Sequence, residues 1–318
     1  KKGGNGSIPS KTLYAKGEFV PLPKLTKEGF EFIGWSDGSE VNLGDTYEMG
    51  SKSVTFTAVW KEIPKECWVT YENSKDSINV VVPNKDQYLE GDVVTVKGLV
   101  EPEICELEFI GWIFNGDANN ILKPNATFTI SSDVTLTTKW VRYSMKDLNN
   151  NEYNCIKIGN LIWMQENYRY TSATELEMDD IEWESRGQYK EEALHCFYNN
   201  LTSDTHRKKY GALYNWNSVK AKDFVPEGWR VPSKDDWNIL KNKLSNNDKI
   251  LNSLFNVLGG LRDIYGPFYD IDSTGNWWSS TFDENDAFSY KLPINGKELK
   301  LGNSPAEYGH SIRLVRDK

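Results

Sequence analysis

Short runs of alternating apolar and polar residues dominate the first 142 positions of the chain. The clearest run is SVTFTAVW at residues 53–60, where Val54, Phe56, Ala58 and Trp60 point one way and Thr55 and Thr57 point the other. Such alternation predicts a β-strand with one buried face. Glycine and proline residues separate the runs and predict turns between short strands. This part of the chain is therefore expected to form small β-rich modules.

The same runs occur twice, in the same order. The pentapeptide EFIGW stands at residues 31–35 and 108–112, YAKGEFV at 14–20 matches YLEGDVV at 88–94, and TFTAVW at 55–60 matches TLTTKW at 135–140. The offsets of 74, 77 and 80 positions grow as small loop insertions would make them grow. The pattern indicates a tandem repeat. Only the second copy opens with the strand-like runs CWVTYEN and INVVVP, so the opening strand of the first copy is expected upstream of residue 1.

The repeated pentapeptide itself is expected to lie in a core. In a regular strand, alternation places Phe32 and Gly34 on one face and Ile33 and Trp35 on the other, and the second copy repeats this. Large apolar groups on both faces favour burial over ligand capture.

The repeat blocks resemble the Listeria–Bacteroides repeat, the internalin B-repeat family. EGFEFIGW and SVTFTAVW fit that family well, whereas the second copy has Cys105–Leu107 where the first has Glu28–Phe30. The resemblance implies two β-grasp-like modules, at residues 1–62 and 63–142, that act as a spacer in a bacterial surface protein.

The pattern changes at about residue 143. Residues 153–168 predict two strands joined at a Gly-Asn turn, and residues 169–209 predict a long polar excursion with a short helix. The clearest helix follows Ser233, a natural N-cap, with an apolar stripe of Trp237, Leu240 and Leu244. Three strand-like runs, GNWWSSTF, AFSYKLPI and SIRLVRD, close the chain.

Six blocks in this second half resemble the Fibrobacter succinogenes major paralogous domain. They are at residues 156–167, 210–216, 226–237, 259–262, 277–280 and 311–315. The resemblance implies a variant of the C-type-lectin-like fold over residues 143–318, as in formylglycine-generating enzymes. Val225 stands where the family often carries a cysteine, which argues against a family-type disulfide to Cys196. The whole chain is expected to be α+β and mostly β.

Charge and cysteine content narrow the function classes. The net charge of −9 argues against nucleic-acid binding, and no apolar run approaches the roughly 20 residues of a membrane helix. Four cysteines lack zinc-site spacing. Because two fall in each half of the chain, a Cys67–Cys105 disulfide is favoured, with free thiols as the alternative.

Enzymatic chemistry is not expected. Formylglycine-type chemistry needs a late cysteine pair, and no cysteine follows Cys196. The three histidines, His195, His206 and His310, lie outside any nucleophile-elbow motif. Acidic residues are plentiful, so their presence does not single out a glycosidase pair.

Candidate ligand-binding residues lie in two loops of the last third. The broken segment DIYGPFYD offers Tyr265, Phe268 and Tyr269, and the acidic loops around it complete the set with Asp270, Asp272, Asn276, Asp283 and Asp286. Asp270 and Asp272 also begin a calcium-loop pattern, but Thr281 replaces its final glutamate, so no cofactor is expected beyond a low-ranked calcium ion. Of the adjacent Trp277 and Trp278, at most one is expected outside the core.

These patterns together predict an exported, non-catalytic bacterial protein, extracellular or on the outer-membrane surface. Its repeats are expected to act as a spacer for a lectin-like head that binds a glycan or a surface protein, with no nucleic-acid partner and no membrane-spanning segment. Two alternatives stay open: a carbohydrate-active enzyme that uses acidic loop residues, and a structural adhesin or assembly subunit.

Overall fold

The computed structural model describes residues 13–42, 44–75, 78, 80–188, 191–244, 247–283, 286–294, 296 and 298–318, apart from the side chains of Asn42, Lys249 and Asp286. Strands account for 42% and helices for 14%. The fold is therefore α+β and mostly β, as the alternating pattern predicts.

Two compact units make up the chain. The first comprises residues up to 74 together with 82–98 and 111–138, and the second comprises 75–81, 99–110 and 139–318. Segment 99–110 thus lies inside the second repeat in sequence but belongs to the C-terminal unit. The predicted module boundaries after residues 62 and 142 stay predictions.

The described residues of the first repeat form five short strands. They are β1 (Phe19–Pro21), β2 (Phe30–Ser36), β3 (Val41–Asn42), β4 (Thr46–Glu48) and β5 (Thr57–Glu62). β1 pairs with β4, while β3, β2 and β5 form a second, antiparallel sheet. Phe56, Ala58 and Trp60 pack against the buried Trp35, which confirms the predicted apolar face of the SVTFTAVW run.

The second repeat has the same strand plan with additions. Its strands are β6 (Glu66–Glu72), β7 (Asp86–Leu89), β8 (Val93–Thr95), β9 (Ile104–Cys105), β10 (Leu107–Phe114), β11 (Asp117–Leu122), β12 (Thr127–Thr129) and β13 (Val134–Arg142). The β8–β12 pair corresponds to β1–β4, and the order β11–β10–β13 corresponds to β3–β2–β5. β6 adds in parallel to β13, and β7 adds antiparallel to β6.

A β-bulge corrects the predicted faces of the pentapeptide. The register between β2 and β5 shifts between Phe32 and Gly34, so Ile33 is the extra residue. Phe32 and Trp35 consequently lie together, with ring centroids 5.8 Å apart, and their predicted placement on opposite faces is wrong.

The pentapeptide tryptophan has the same anchor in both copies. The indole N–H of Trp35 donates to the Pro23 carbonyl at 2.9 Å, and that of Trp112 donates to the Lys97 carbonyl at 2.9 Å. The glycine before Trp112 is also required, since a Cβ on Gly111 would lie 2.7 Å from the Leu122 carbonyl oxygen. The pentapeptide is thus a packing element.

The C-terminal domain contains the longer elements. Its strands are β14 (Ser144–Lys146), β15 (Glu152–Ile158), β16 (Leu161–Met164), β17 (Glu175–Leu176), β18 (Leu194–Cys196), β19 (Leu213–Tyr214), β20 (Gly259–Arg262), β21 (Phe268–Ile271), β22 (Thr274–Asp283), β23 (Asp286–Pro293), β24 (Lys300–Ser304) and β25 (Val315–Asp317). Its α-helices are α1 (Asp180–Gln188), α2 (Asp204–Tyr210), α3 (Lys234–Leu244) and α4 (Asp248–Leu254), and short 3₁₀ helices span Tyr198–Asn200 and Trp216–Lys220.

Three sheets organise this domain. One has the order β14–β15–β16–β25 and also receives β9 alongside β15, and another has the order β21–β20–β22–β23–β24. A small sheet joins β17, β18 and β19. The predicted hairpin at residues 159–160 is confirmed as the β15–β16 connection.

Both faces of β22 are buried. Trp277 packs with Trp163 and Trp237 in one apolar cluster, whereas Trp278 belongs to the cluster that contains Tyr214. We expected at most one of these indoles outside the core. Both are 0% exposed, so neither lies at the surface. Alternation places them on opposite faces as predicted, but core covers both sides of the strand.

Helix α3 follows its predicted signals. The Ser233 hydroxyl accepts the Asp236 N–H at 3.2 Å, while Asp236 accepts the Ser233 N–H at 2.7 Å, a reciprocal cap. The apolar stripe of Trp237, Leu240 and Leu244 is buried. The excursion after residue 169 is more ordered than expected, because it builds two helices and buries Trp183 completely.

The four cysteines are free and buried, so the favoured Cys67–Cys105 disulfide is wrong and the free-thiol alternative holds. Cys155 and Cys196 pack in separate apolar clusters. None of the helices within the described ranges has the length and apolar content to cross a bilayer.

Candidate functional site

The predicted aromatic loop is the turn of a β-hairpin between β20 and β21. Arg262 pairs with Phe268, and Leu261 pairs with Tyr269. The turn between them is closed by the Asp263 N–H, which donates to the Pro267 carbonyl at 2.8 Å. We call residues 259–271 the tyrosine hairpin.

A buried arginine anchors the tyrosine hairpin. The guanidinium of Arg262 lies 4.4 Å from the ring centroid of Trp183 and 5.0 Å from that of Phe268. It donates to the Gly266 carbonyl at 2.9 Å and to the Asp180 carboxylate at 2.8 Å. Charge-assisted hydrogen bonds and ring contacts therefore fix both ends of the turn.

Gly266 permits the close approach of this turn to α1. Its φ of +103° is a conformation that side-chain-bearing residues rarely adopt, and a Cβ there would lie 2.2 Å from the Cβ of Asp180. The Asp263 carboxylate accepts the Tyr265 N–H at 3.0 Å. These contacts fix the backbone of the turn before any ligand binds.

Two tyrosines project from the anchored turn. Tyr265 is 65% exposed and Tyr269 is 50% exposed. Tyr308 lies near both. Its pKa is raised, mainly by burial and next by the neighbouring carboxylate of Asp263. Exposed rings on a rigid loop beside a carboxylate form the kind of surface on which a sugar ring can stack and hydrogen-bond.

Phe268, the third aromatic residue of the predicted loop, packs inside the domain. It packs against Tyr198, with ring centroids 5.2 Å apart, and against the apolar cluster around Trp183. It thus supports the hairpin. The sequence did not point to Arg262 or Tyr308 as functional residues. Arg262 closes the family block at residues 259–262, and Tyr308 lies three residues before the block at 311–315.

Asp270 and Asp272 form the next turn, where lysines face their carboxylates. Lys291 lies 3.7 Å from Asp270, and Lys209 lies 3.6 Å from Asp272. Asp272 also accepts the Tyr210 hydroxyl at 2.8 Å. Both aspartates therefore take part in ion pairs at the surface of the domain.

Asn276 and Asp283 do not join this group. Asn276 is 5% exposed and donates to the Gly260 carbonyl at 3.3 Å, so it packs inside the domain. Asp283 lies at the far end of β22, roughly 30 Å along the strand from Thr274. The backbone of Asp286 starts β23, but its side chain lies outside the description. The structure thus brings together Tyr265, Phe268, Tyr269 and the Asp270–Asp272 turn.

Calcium binding by Asp270 and Asp272 stays a prediction. Within the described ranges, no three acidic, histidine or cysteine side chains are grouped so that they could hold a metal ion. The two carboxylates face ammonium groups instead.

The histidines of the domain lie in surroundings that favour their neutral form. Burial lowers the pKa of His195 to about 4, with Arg207 adding to the effect, and burial lowers the pKa of His310 to about 3. His310 packs 4.3 Å from the ring of Trp278. A general base is most effective with a pKa near the working pH, which neither group has.

Comparisons with known families match both halves of the chain. Residues 156–256 match the Fibrobacter succinogenes major domain, and residues 1–64 match the divergent InlB B-repeat domain. No curated protein and no solved structure matches the chain, so the C-type-lectin-like fold stays a prediction. The chain therefore joins a divergent InlB B-repeat to a Fibrobacter succinogenes major domain, an architecture typical of surface-associated bacterial proteins.

Proposed function

We propose that this is a non-catalytic surface protein in which the two repeats space a C-terminal domain that binds a glycan. The tyrosine hairpin is the proposed binding surface, and the exposed rings of Tyr265 and Tyr269 are the groups that stack on sugar. The observation that carries the proposal is the combination of two exposed rings with a turn anchored through the buried Arg262.

Anchoring matters because it lowers the entropic cost of binding. A loop that is already fixed loses little freedom when a ligand arrives, whereas each newly immobilised side chain costs roughly 0.5–1.5 kcal/mol. Here the backbone is fixed at Gly266 and only the tyrosine side chains remain to be ordered.

The spacer role rests on the repeats. Both copies bury the tryptophan of EFIGW and hold its indole N–H with a backbone carbonyl. Their repeated residues therefore serve packing, which suits a role in projecting another domain.

The non-catalytic role is supported by the acidic groups. In the described part of the chain, each carboxyl group whose pKa departs clearly from its ordinary value has it lowered, as for Glu101, Glu106 and Asp236. A glycosidase acid needs the opposite shift. Lowered values are typical of paired structural carboxylates.

A glycan array probed with the full chain tests the proposal. We expect binding to one group of glycans, with at least a tenfold loss when Tyr265→Ala and Tyr269→Ala are combined, because each stacked ring is worth about 1 kcal/mol or more. Phe19→Ala is the matched control, since Phe19 is an aromatic of the first repeat that is 63% exposed.

An array that stays blank with and without calcium would contradict glycan binding. Binding that survives the double tyrosine variant would move the site away from the hairpin. Hydrolysis of a bound polysaccharide by the wild-type chain would favour the enzyme alternative.

A further inference from the structure

A cleft on the C-terminal domain carries a second, independent set of polar groups. It has a volume of about 480 Å³ and lies where loop 149–152, the segment after β16 and helix α2 meet. Its lining includes Asn149, Asn151, Arg169, Thr171, Arg207 and Lys208. This is large enough for one or two sugar rings, within the usual range for small-ligand sites.

Three cations of this cleft have no carboxylate partner. Within the described ranges, Arg169, Arg207 and Lys208 form no ion pair, in contrast to Arg186, Arg230 and Arg262 of the same domain. Of the two lining carboxylates, Glu152 is paired with Lys146 at 2.8 Å, and Asp204 lies at the start of α2, one turn before Lys208. The lining therefore holds three cations and two carboxylates, an excess of one positive charge in a chain whose net charge is −9.

Each of the two guanidinium groups packs against a buried aromatic ring. Arg207 lies 4.6 Å from the ring centroid of Phe197, and Arg169 lies 4.1 Å from that of Tyr153. Phe197 and Tyr153 are almost fully buried, so the guanidinium groups form the floor of the cleft. Planar cations fixed in this way present their N–H groups without further loss of freedom.

One donor of this floor is unsatisfied. The Nε of Arg207 is buried and has no hydrogen-bond partner among the described residues. A buried donor without a partner costs free energy, and native proteins rarely leave one unpaired. Because this atom is closed off from solvent, an acceptor in the cleft reaches it only when the Arg207 side chain shifts on binding.

The neutral part of the lining is also preorganised. Asp147 accepts the N–H groups of Asn149 and Asn151 at 2.8 and 2.9 Å and the Tyr153 hydroxyl at 2.7 Å. The Ser172 hydroxyl donates to the side-chain oxygen of Asn149 at 2.9 Å. This hydrogen bond occupies the side-chain oxygen of Asn149, so the NH₂ of the same amide is the group that can donate to a ligand.

We propose that this cleft binds a negatively charged sugar residue of a glycan. The carboxylate or sulfate of the sugar pairs with Arg207, Arg169 and Lys208, while its hydroxyls meet Asn149 and Thr171. A sugar fits better than an acidic peptide because the uncharged polar groups of the lining are amides and a hydroxyl, the ring of Phe197 is covered, and the carboxylates of Glu152 and Asp204 can accept from sugar hydroxyls but repel further acidic groups.

Titration calorimetry on the full chain tests this proposal. The probes are digalacturonate, a sulfated galactose disaccharide and neutral galactobiose, each at about 0.02 M and about 0.3 M salt. We expect at least one acidic probe to bind at least tenfold more tightly than galactobiose and to weaken with salt. Arg207→Gln should weaken it at least tenfold, and Lys208→Gln several-fold.

Lys209→Gln is the matched control. It removes the same charge from the same helix, but Lys209 faces Asp272 and does not line the cleft. We expect less than a twofold change. Thermal unfolding checks that Arg207→Gln is folded; if it is not, the exposed Lys208→Gln decides.

Three results would overturn the proposal. They are failure of both acidic probes to bind, equal weakening by Lys208→Gln and Lys209→Gln, and tetraglutamate binding as tightly as the better acidic sugar. The proposal is separable from glycan binding at the tyrosine hairpin, because the double variant of Tyr265 and Tyr269 should leave binding in the cleft unchanged.

Discussion

The ammonium group of Lys157 lies 3.5 Å from the carboxylate of Glu101, and both side chains are only 11% exposed. Lys157 also donates to the Pro102 carbonyl at 2.7 Å, and its strand pairs with β9. Glu101 in turn accepts from the Phe109 N–H and from Lys318. Residues that the sequence assigns to the second repeat are therefore part of the C-terminal domain.

Removal of the Glu101 charge should destabilise this domain. Glu101→Gln leaves the ammonium of Lys157 without a carboxylate in a mostly buried place, and hydrogen bonds to charged groups contribute about 1.5–3 kcal/mol. We expect the free energy of unfolding to fall by about 2 kcal/mol, measured by urea denaturation of the full chain.

Glu31→Gln is the control for this experiment, because Glu31 is exposed on β2. A second measurement compares fragments 143–318 and 99–318. Equal stability of the two fragments would show that segment 99–110 contributes nothing to the domain.

The sequence predicted some features and missed others for identifiable reasons. Local signals, such as the Ser233 cap of α3 and the repeated EFIGW, predicted elements that depend on nearby residues. Segment 99–110 and the anchoring of Arg262 depend on contacts between distant parts of the chain, as the Arg262–Asp180 pair shows. The bulge at Ile33 was missed because alternation assumes a regular strand.

The buried arginine under the tyrosine hairpin should tolerate neither a neutral nor a conservative replacement. Arg262→Gln and Arg262→Lys both lose the planar contact between Trp183 and Phe268 and leave backbone carbonyls unpaired. We expect a loss of about 3 kcal/mol in the free energy of unfolding for each variant. Arg142→Lys, at an exposed ion pair, should change it by less than about 0.5 kcal/mol.

The adjacent tryptophans of β22 should be equally important. Trp277→Ala and Trp278→Ala each open a cavity in a different apolar cluster, so each should lower the free energy of unfolding by about 3–5 kcal/mol. Tyr269→Ala, at a half-exposed ring of the hairpin, should cost far less. A small effect for either tryptophan variant would mean that its face of the sheet is open to solvent.

Stability should fall on mild acidification because of the histidines. The pKa values of His195, about 4, and His310, about 3, lie below the ordinary value, and that of His206 is also lowered. The unfolded chain therefore binds more protons below about pH 6.5, and each buried histidine contributes a slope of up to about 1.4 kcal/mol per pH unit.

The window from pH 6.5 to about 5.5 isolates this effect. The lowered pKa values of Glu101 and Asp236 make their contributions fall only at lower pH. Denaturant midpoints should decrease steadily through the window, and His195→Asn should reduce the slope. A flat profile would show that both histidines can be protonated without unfolding.

The free thiols should be unreactive until the chain unfolds. All four cysteines are buried, and burial raises the pKa of both Cys155 and Cys196 to about 12. Because the thiolate is the reactive form, both access and ionisation oppose modification. At pH 8 we expect Ellman's reagent to titrate fewer than one thiol per native chain and four thiols in guanidinium chloride. Two thiols in the denatured, unreduced protein would instead indicate a disulfide such as Cys67–Cys105.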